Sequence, residues 1–129
     1  MDNLIPVEHK NQRVLTTQQL ADVYEAESKN IHDNFSNNKE RFMEGRDYYI
    51  LSGEVLREFK ESLPDNIGEP LKYAPQLYLW TERGANRHCK ILDTDMAWQR
   101  FDELEETYFS IAYVFAFFKK NFKEALLCL

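Results

Sequence analysis

Two short segments with apolar residues at helical spacing, separated by a polar break, constrain the fold of this 129-residue chain most strongly. Thr16 and Gln19 have the spacing of a capping box, in which each side chain satisfies a backbone group of the first helical turn. The helix that follows should bury Leu20, Ala21, Val23 and Tyr24. We interpret residues 25–27 as a tight break and Ser28 as the N-cap of a second helix. One apolar row of that helix recurs at helical spacing, at Ile31, Phe35 and Phe42.

The flanking residues alternate between short strand patterns and short helix patterns. Residues 4–9 and 13–15 predict a small hairpin, and residues 47–51 and 77–80 predict two further strands. Ser52 and Thr81 are suitable caps for two more helices. The prolines and glycine of residues 62–76 predict a loop. The fold class is therefore α+β, a small helix-turn-helix-like unit with short strands packed on helices.

A long helical pattern occupies the C-terminal part of the chain. Asp93 or Thr94 would cap it, and apolar residues alternate at intervals of four and three from Ala97 to Leu129. An unbroken helix over residues 94–129 would be about 54 Å long. Part of it should therefore project, bend or pair, and we expect it to pack on its own domain or to form a homodimer through the C-terminal helix. Lying on a membrane surface is the least favoured alternative.

Composition and motifs argue against catalysis and secretion. The chain contains none of the phosphate-binding, nucleophile or zinc-binding motifs GxGxxG, GxSxG and HExxH. Cys89 and Cys128 lie far apart, outside any ligand-spaced set. The apolar run 108–118 is shorter than the ~20 residues that a spanning helix needs, and no signal peptide is visible. We expect a cytoplasmic protein that is not an enzyme and has no cofactor, metal site or membrane association.

The polar outer side of the second helix is the best candidate for a functional surface. Amides can bond adenine edges, and Lys or Arg can bond guanine or phosphate, so the layout fits a helix-turn-helix reader of double-stranded DNA. The residues predicted to face bases are Ser28, Lys29, Asn30 and His32. Other predicted contacts, mainly to the backbone, come from Asn37, Lys39, Arg41, Arg46, Arg83 and Arg87. The net charge of −6 counts against this reading, although local charge matters more than the sum.

Three sequence blocks, "VLTTQQLA", "NFSNNKERF" and "LYLWTERGA", resemble the ORF-six-N domain of phage and prophage proteins, a relative of the KilA-N and Bro-N domains. The likeness extends over residues 4–109. It implies a DNA-binding domain of a phage or prophage regulator, antirepressor-like and non-catalytic. We therefore divide the chain into an ORF-six-N-type domain at 1–109 and an apolar helical tail at 110–129.

A second class of function stays open. An antirepressor can act by docking on a phage repressor protein, and an acidic protein can do so by mimicking the charge of DNA. The alternative is therefore a protein-interaction module that docks on a repressor, or on another host or phage protein, without binding DNA.

Overall fold

The computed structural model describes residues 4–68 and 71–110 and has the predicted α+β fold. Four strands and a set of helices alternate along the chain. The strands are β1 (Val7–His9), β2 (Gln12–Thr16), β3 (Tyr48–Ser52) and β4 (Gln76–Trp80). The helices are α1 (Thr17–Val23), α2 (Ser28–Asn37), a 3₁₀ turn (Lys39–Arg41), α3 (Gly53–Glu61), α4 (Asp65–Gly68), α5 (Glu82–Leu92) and α6 (Asp95–Glu106).

The strands form an antiparallel sheet in the order β1-β2-β4-β3. β4 pairs with both β2 and β3, so that Trp80 lies opposite Leu15 on one side and Tyr48 on the other. The β1–β2 turn places Lys10 and Asn11 at positive φ, which is the geometry of the two-residue hairpin turn that matches strand twist. The predicted hairpin and both later strands are confirmed, with bounds shifted by a few residues.

The main core joins the helix pair α1–α2 to one side of the sheet and to α5 and α6. Its largest fully buried side chains include Leu15, Leu20, Ile31, Trp80 and Leu104. Phe35 of α2 lies among other aromatic rings, with its centroid 5.2 Å from Phe42 and 5.5 Å from Trp80. A second, smaller cluster covers the other side of the sheet, where α3 packs. Ile31 and Phe35 hold α2 on this core, and the polar side of α2 stays exposed. The predicted row is corrected at Phe42, which lies outside α2 because the helix ends at Asn37 and a 3₁₀ turn follows.

Four of the five predicted cap positions are confirmed, and one is wrong. Ser52 is the N-cap residue of α3, although its hydroxyl makes no capping hydrogen bond. Thr16 and Gln19 form the reciprocal capping box, and the hydroxyls of Thr81 and Thr94 accept from Gly84 N and Ala97 N. Ser28 was expected to be the N-cap of α2, but Glu27 occupies that position. The Ser28 hydroxyl instead donates to Gln18 Oε1 of α1 at 2.8 Å, because the break brings the two helices side by side.

The predicted unbroken C-terminal helix is also corrected. α6 ends at Glu106, and residues 107–109 form a turn in which Phe109 N donates to Leu104 O. The turn buries Tyr108, whose hydroxyl accepts from Val7 N at 2.9 Å and donates to Val14 O at 2.6 Å. These bonds to β1 and β2 stop the helix. The predicted homodimer seam continues into residues 111–129, which lie outside the described residues.

Candidate functional site

A cavity of about 670 Å³ opens between the 3₁₀ turn and α5. Four of the residues that line it are cationic, namely Arg41, Arg46, Arg87 and Lys90. The others are Asn38, Glu40 and Ile91. We refer to this site as the cationic cavity.

A buried carboxylate holds two of the cavity arginines in place. Asp47 is completely buried, and its Oδ2 accepts from Arg46 Nη2 at 2.8 Å and from Arg87 Nε at 3.1 Å. The same oxygen accepts from the backbone N–H of Met43 at 2.9 Å. The side chains of Arg46 and Arg87 are each 33% exposed, so their outer portions face solvent. We call this arrangement the Asp47 clamp.

The backbone of Asp47 is fixed to the start of α5. Its carbonyl accepts from Thr81 N at 3.1 Å, and the Thr81 hydroxyl donates to the carbonyl of Arg46 at 2.6 Å. Gly84 lies so close to Asp47 that an added Cβ would stand 2.0 Å from the Asp47 carbonyl oxygen. On the other side, Gly45 turns the chain at a φ of +88°, a conformation that glycine adopts without a steric penalty. These contacts hold the clamp at a defined position beside α5.

Hydrogen bonds keep the clamp charged. Burial alone would raise the pKa of Asp47, but donation from Arg46, from the Met43 backbone and from Arg87 outweighs burial and lowers that pKa. The side-chain hydrogen bond to Asp47 raises the pKa of Arg46. Asp47 is therefore an anion at neutral pH.

The polar side of α2 carries most of the other predicted site residues. Exposed side chains include those of Lys29, Asn30, His32 and Asn37, and exposure continues through Lys39 and Arg41 of the 3₁₀ turn. His32 Nε2 lies 3.4 Å from the Ser36 hydroxyl, one helical turn away. Ser28 differs from these residues because its hydroxyl is used in the bond to α1.

The structure brings three of the predicted residues together, since Arg41, Arg46 and Arg87 line the cationic cavity. The α2 residues do not line it, and neither does Arg83, which is exposed on the first turn of α5. The prediction omitted Lys90, although its position three residues after Arg87 already indicated a shared helix face. It also omitted Asp47, because a single acidic residue before a strand carries no signal of burial between two arginines.

The fold and the cavity define a small α+β domain with a basic site beside a helix pair. A family model described as the ORF6N domain matches residues 4–91. The match covers more than half of the chain, which therefore belongs to the ORF6N domain family, a phage-associated family, as the sequence blocks predicted. Comparison with curated proteins and with solved structures gave no match.

Within the described ranges 4–68 and 71–110, no group of three or more His, Cys, Asp or Glu side chains is placed to hold a metal ion. Over the same residues, no helix has the length and apolar character needed to cross a membrane.

Proposed function

We propose that this chain is the DNA-binding domain of a phage or prophage regulator with an antirepressor-like role. One observation carries the proposal. The exposed polar side of α2 runs through the 3₁₀ turn to the cationic cavity, so amide and cationic side chains follow one another along a single stretch of chain. Membership of the ORF6N family supports the same reading.

The chemistry along this surface divides into two parts. Asn30 and Lys29, on the first turn of α2, are suited to base edges, because amides bond adenine and cations bond guanine. Arg41 and the clamped arginines are suited to backbone phosphates, which position a protein on the duplex without reading its sequence.

The net charge of −6 does not conflict with this assignment. At about 0.15 M salt, exposed charges more than ~8 Å apart are largely screened from one another, so a phosphate responds mainly to nearby cations. Part of the acidic charge lies elsewhere in the chain, on α6, where Asp102, Glu105 and Glu106 are exposed. The local cations therefore decide whether the surface attracts DNA.

The test measures binding of a labelled random duplex by fluorescence anisotropy at two salt concentrations. We expect micromolar or tighter binding at low salt that weakens steeply as salt is raised, because bound phosphates release counterions. The double variant Lys29→Glu/Arg41→Glu should abolish binding. The matched control, Arg57→Glu/Lys72→Glu, makes the same charge change at exposed cations outside the surface and should retain binding. Duplex binding by the first variant at the strength of the unaltered chain would refute the proposal.

The acidic outer side of α6 favours a second candidate, docking on a repressor protein. A row of carboxylates can imitate the phosphates that a DNA-binding repressor recognises. This candidate expects no duplex binding even at low salt. It also expects that the protein competes with operator DNA for a phage repressor, and that the triple variant Asp102→Asn/Glu105→Gln/Glu106→Gln loses that competition.

A further inference from the structure

The cationic cavity has the size of a small-molecule site. Ligand pockets in proteins span about 300–1,000 Å³, and this cavity of about 670 Å³ lies within that range. It can therefore admit a charged group together with the larger group that carries it. The lining favours an anionic ligand, because it contains four cationic side chains and only one carboxylate, that of Glu40.

We propose that the cationic cavity is a phosphate-binding pocket in which the Asp47 clamp holds Arg46 and Arg87 ready to bind the phosphate oxygens. A DNA backbone phosphate and the phosphate of a free nucleotide both satisfy this chemistry. The first source rests on the proposed function, whereas the second goes beyond it, and separate titrations with a duplex and with a nucleotide distinguish them.

In the Asp47 clamp, each guanidinium keeps N–H groups that can donate to a ligand. Arg87 uses its Nε to bind Asp47, and within residues 4–68 and 71–110 no acceptor is found for its Nη1 and Nη2. Arg46 binds Asp47 through Nε and Nη2, and its Nη1 likewise has no acceptor among those residues. A planar guanidinium presents such N–H groups in a rigid fork that matches phosphate oxygens.

Preorganisation is the physical gain from burying Asp47. A free arginine loses side-chain freedom when it binds, and this loss of entropy weakens binding. The buried carboxylate has already restricted Arg46 and Arg87, so a phosphate entering the cavity meets two donors whose positions are set. Lys90 and Arg41 are exposed and can add charge from the rim, while Ile91 offers an apolar wall to the carrier group.

The test uses the full chain and follows backbone amide shifts by NMR during three separate titrations, with pyrophosphate, with thymidine 5′-monophosphate and with a 12-base-pair duplex. We expect saturable shifts at residues around the cavity. Arg87→Gln should raise the dissociation constant about tenfold or more, because it removes charge-assisted hydrogen bonds to the phosphate oxygens. Arg57→Gln is the matched control, since it removes the same charge from an exposed arginine of α3 outside the cavity. It should leave binding unchanged.

Two positioning variants separate geometry from simple attraction. Asp47→Asn makes the site more positive, so attraction alone would tighten phosphate binding. The clamp mechanism predicts weaker binding, because the arginines lose their fixed orientation. Arg87→Lys keeps the charge and removes the planar fork, so it should resemble Arg87→Gln. If the circular dichroism spectrum shows that Asp47→Asn has lost the fold, Arg87→Lys provides the test of geometry in its place.

The outcomes distinguish a free phosphorylated ligand from a DNA backbone phosphate, and they test the pocket separately from the proposed function. Arg87-dependent binding of pyrophosphate or the nucleotide, with duplex binding unaffected by Arg87→Gln, supports a free phosphorylated ligand. Arg87-dependent binding of the duplex supports a backbone phosphate. Pyrophosphate binding without any duplex binding rejects the proposed function and retains the pocket. Equal effects of Arg57→Gln and Arg87→Gln, or no binding of any probe, overturn the pocket.

Discussion

Gly84 allows the first turn of α5 to pack directly on the backbone of Asp47. The hydrogen atom at this position is essential to the contact, because an added Cβ would overlap the Asp47 carbonyl oxygen at 2.0 Å. Neither partner can move freely. Asp47 is held by hydrogen bonds from two arginines and two backbone N–H groups, and α5 is anchored by the Thr81 cap.

Gly84→Ala should therefore destabilise the protein by about 2–3 kcal/mol, the upper part of the range for an overpacked core site. Chemical denaturation monitored by tryptophan fluorescence measures this value. The control is Gly53→Ala, where the added Cβ meets no atom within 4 Å and only the positive φ of 57° is penalised. It should cost about 1–2 kcal/mol. A smaller loss for Gly84→Ala than for Gly53→Ala would contradict the packing argument.

His88 gives the protein a pH-dependent stability. The ring is completely buried, with its centroid 4.3 Å from that of Trp80, and neither nitrogen has a hydrogen-bond partner in the described residues. Burial lowers the pKa of His88 to about 3 from an ordinary value of 6.5. Between these values the unfolded chain binds one more proton than the folded chain, so stability falls as the pH falls below 6.5.

We expect the free energy of unfolding to decrease by about 1.4 kcal/mol per pH unit once the pH is well below 6.5. Urea denaturation between pH 6.5 and 5 measures the slope before most carboxylates titrate. His9, whose pKa partial burial and Lys10 also lower, adds a smaller effect of the same sign. His88→Leu should remove most of the slope, because a proton-binding group is replaced by an apolar one. The exposed control His32→Gln should retain the slope, and its loss there would assign the effect to the wrong histidine.

At the scale of the element, the two helices of the α1–α2 pair begin in different ways. α1 has a capping box in which Thr16 and Gln19 exchange hydrogen bonds of 3.0 and 3.1 Å. α2 has no side-chain cap, and the Ser28 hydroxyl is part of an exposed contact between the helices. The hydroxyl groups of Thr16 and Ser28 therefore contribute differently to stability, although both residues occupy predicted cap positions.

Thr16→Ala should cost about 1–2 kcal/mol, the usual loss of an N-cap hydroxyl. Ser28→Ala should cost less than about 0.5 kcal/mol, as expected for an exposed polar contact. Thermal denaturation of the two variants side by side compares them under identical conditions. Equal losses would restore Ser28 as the cap that its sequence position suggested.

This pair also shows how far sequence reasoning reaches. The caps at Thr16 and Thr81, the strands and the helix break could be predicted, because each depends on residues within one turn or one strand. The role of Ser28 could not, since its partner Gln18 becomes a neighbour only when the helices pack. The cationic cavity was half predicted for the same reason. The sequence shows that Arg46 and Arg87 are cations, but only the folded structure shows that both donate to the buried Asp47.

At the scale of the whole molecule, the core extends beyond the span that the family model matches. The match ends at residue 91, yet Ala97, Phe101, Leu104 and Tyr108 belong to the main core. Tyr108 also bonds the backbone of β1 and β2 near the start of the domain. α6 and its following turn thus close the structure by connecting its end to its beginning.

Truncation after residue 91 should therefore abolish cooperative folding. Burial of a large apolar side chain contributes about 1.5–3 kcal/mol, so losing Phe101, Leu104 and Tyr108 together removes an amount close to the 5–15 kcal/mol total stability of a typical domain. We expect the 1–91 fragment to show no cooperative thermal transition by circular dichroism. The 1–110 fragment retains every described core residue and should unfold cooperatively, so it separates the effect of α6 from that of residues 111–129. A cooperative transition of the 1–91 fragment near that of the full chain would show that the family-matched span carries its own core, with α6 as an accessory to it.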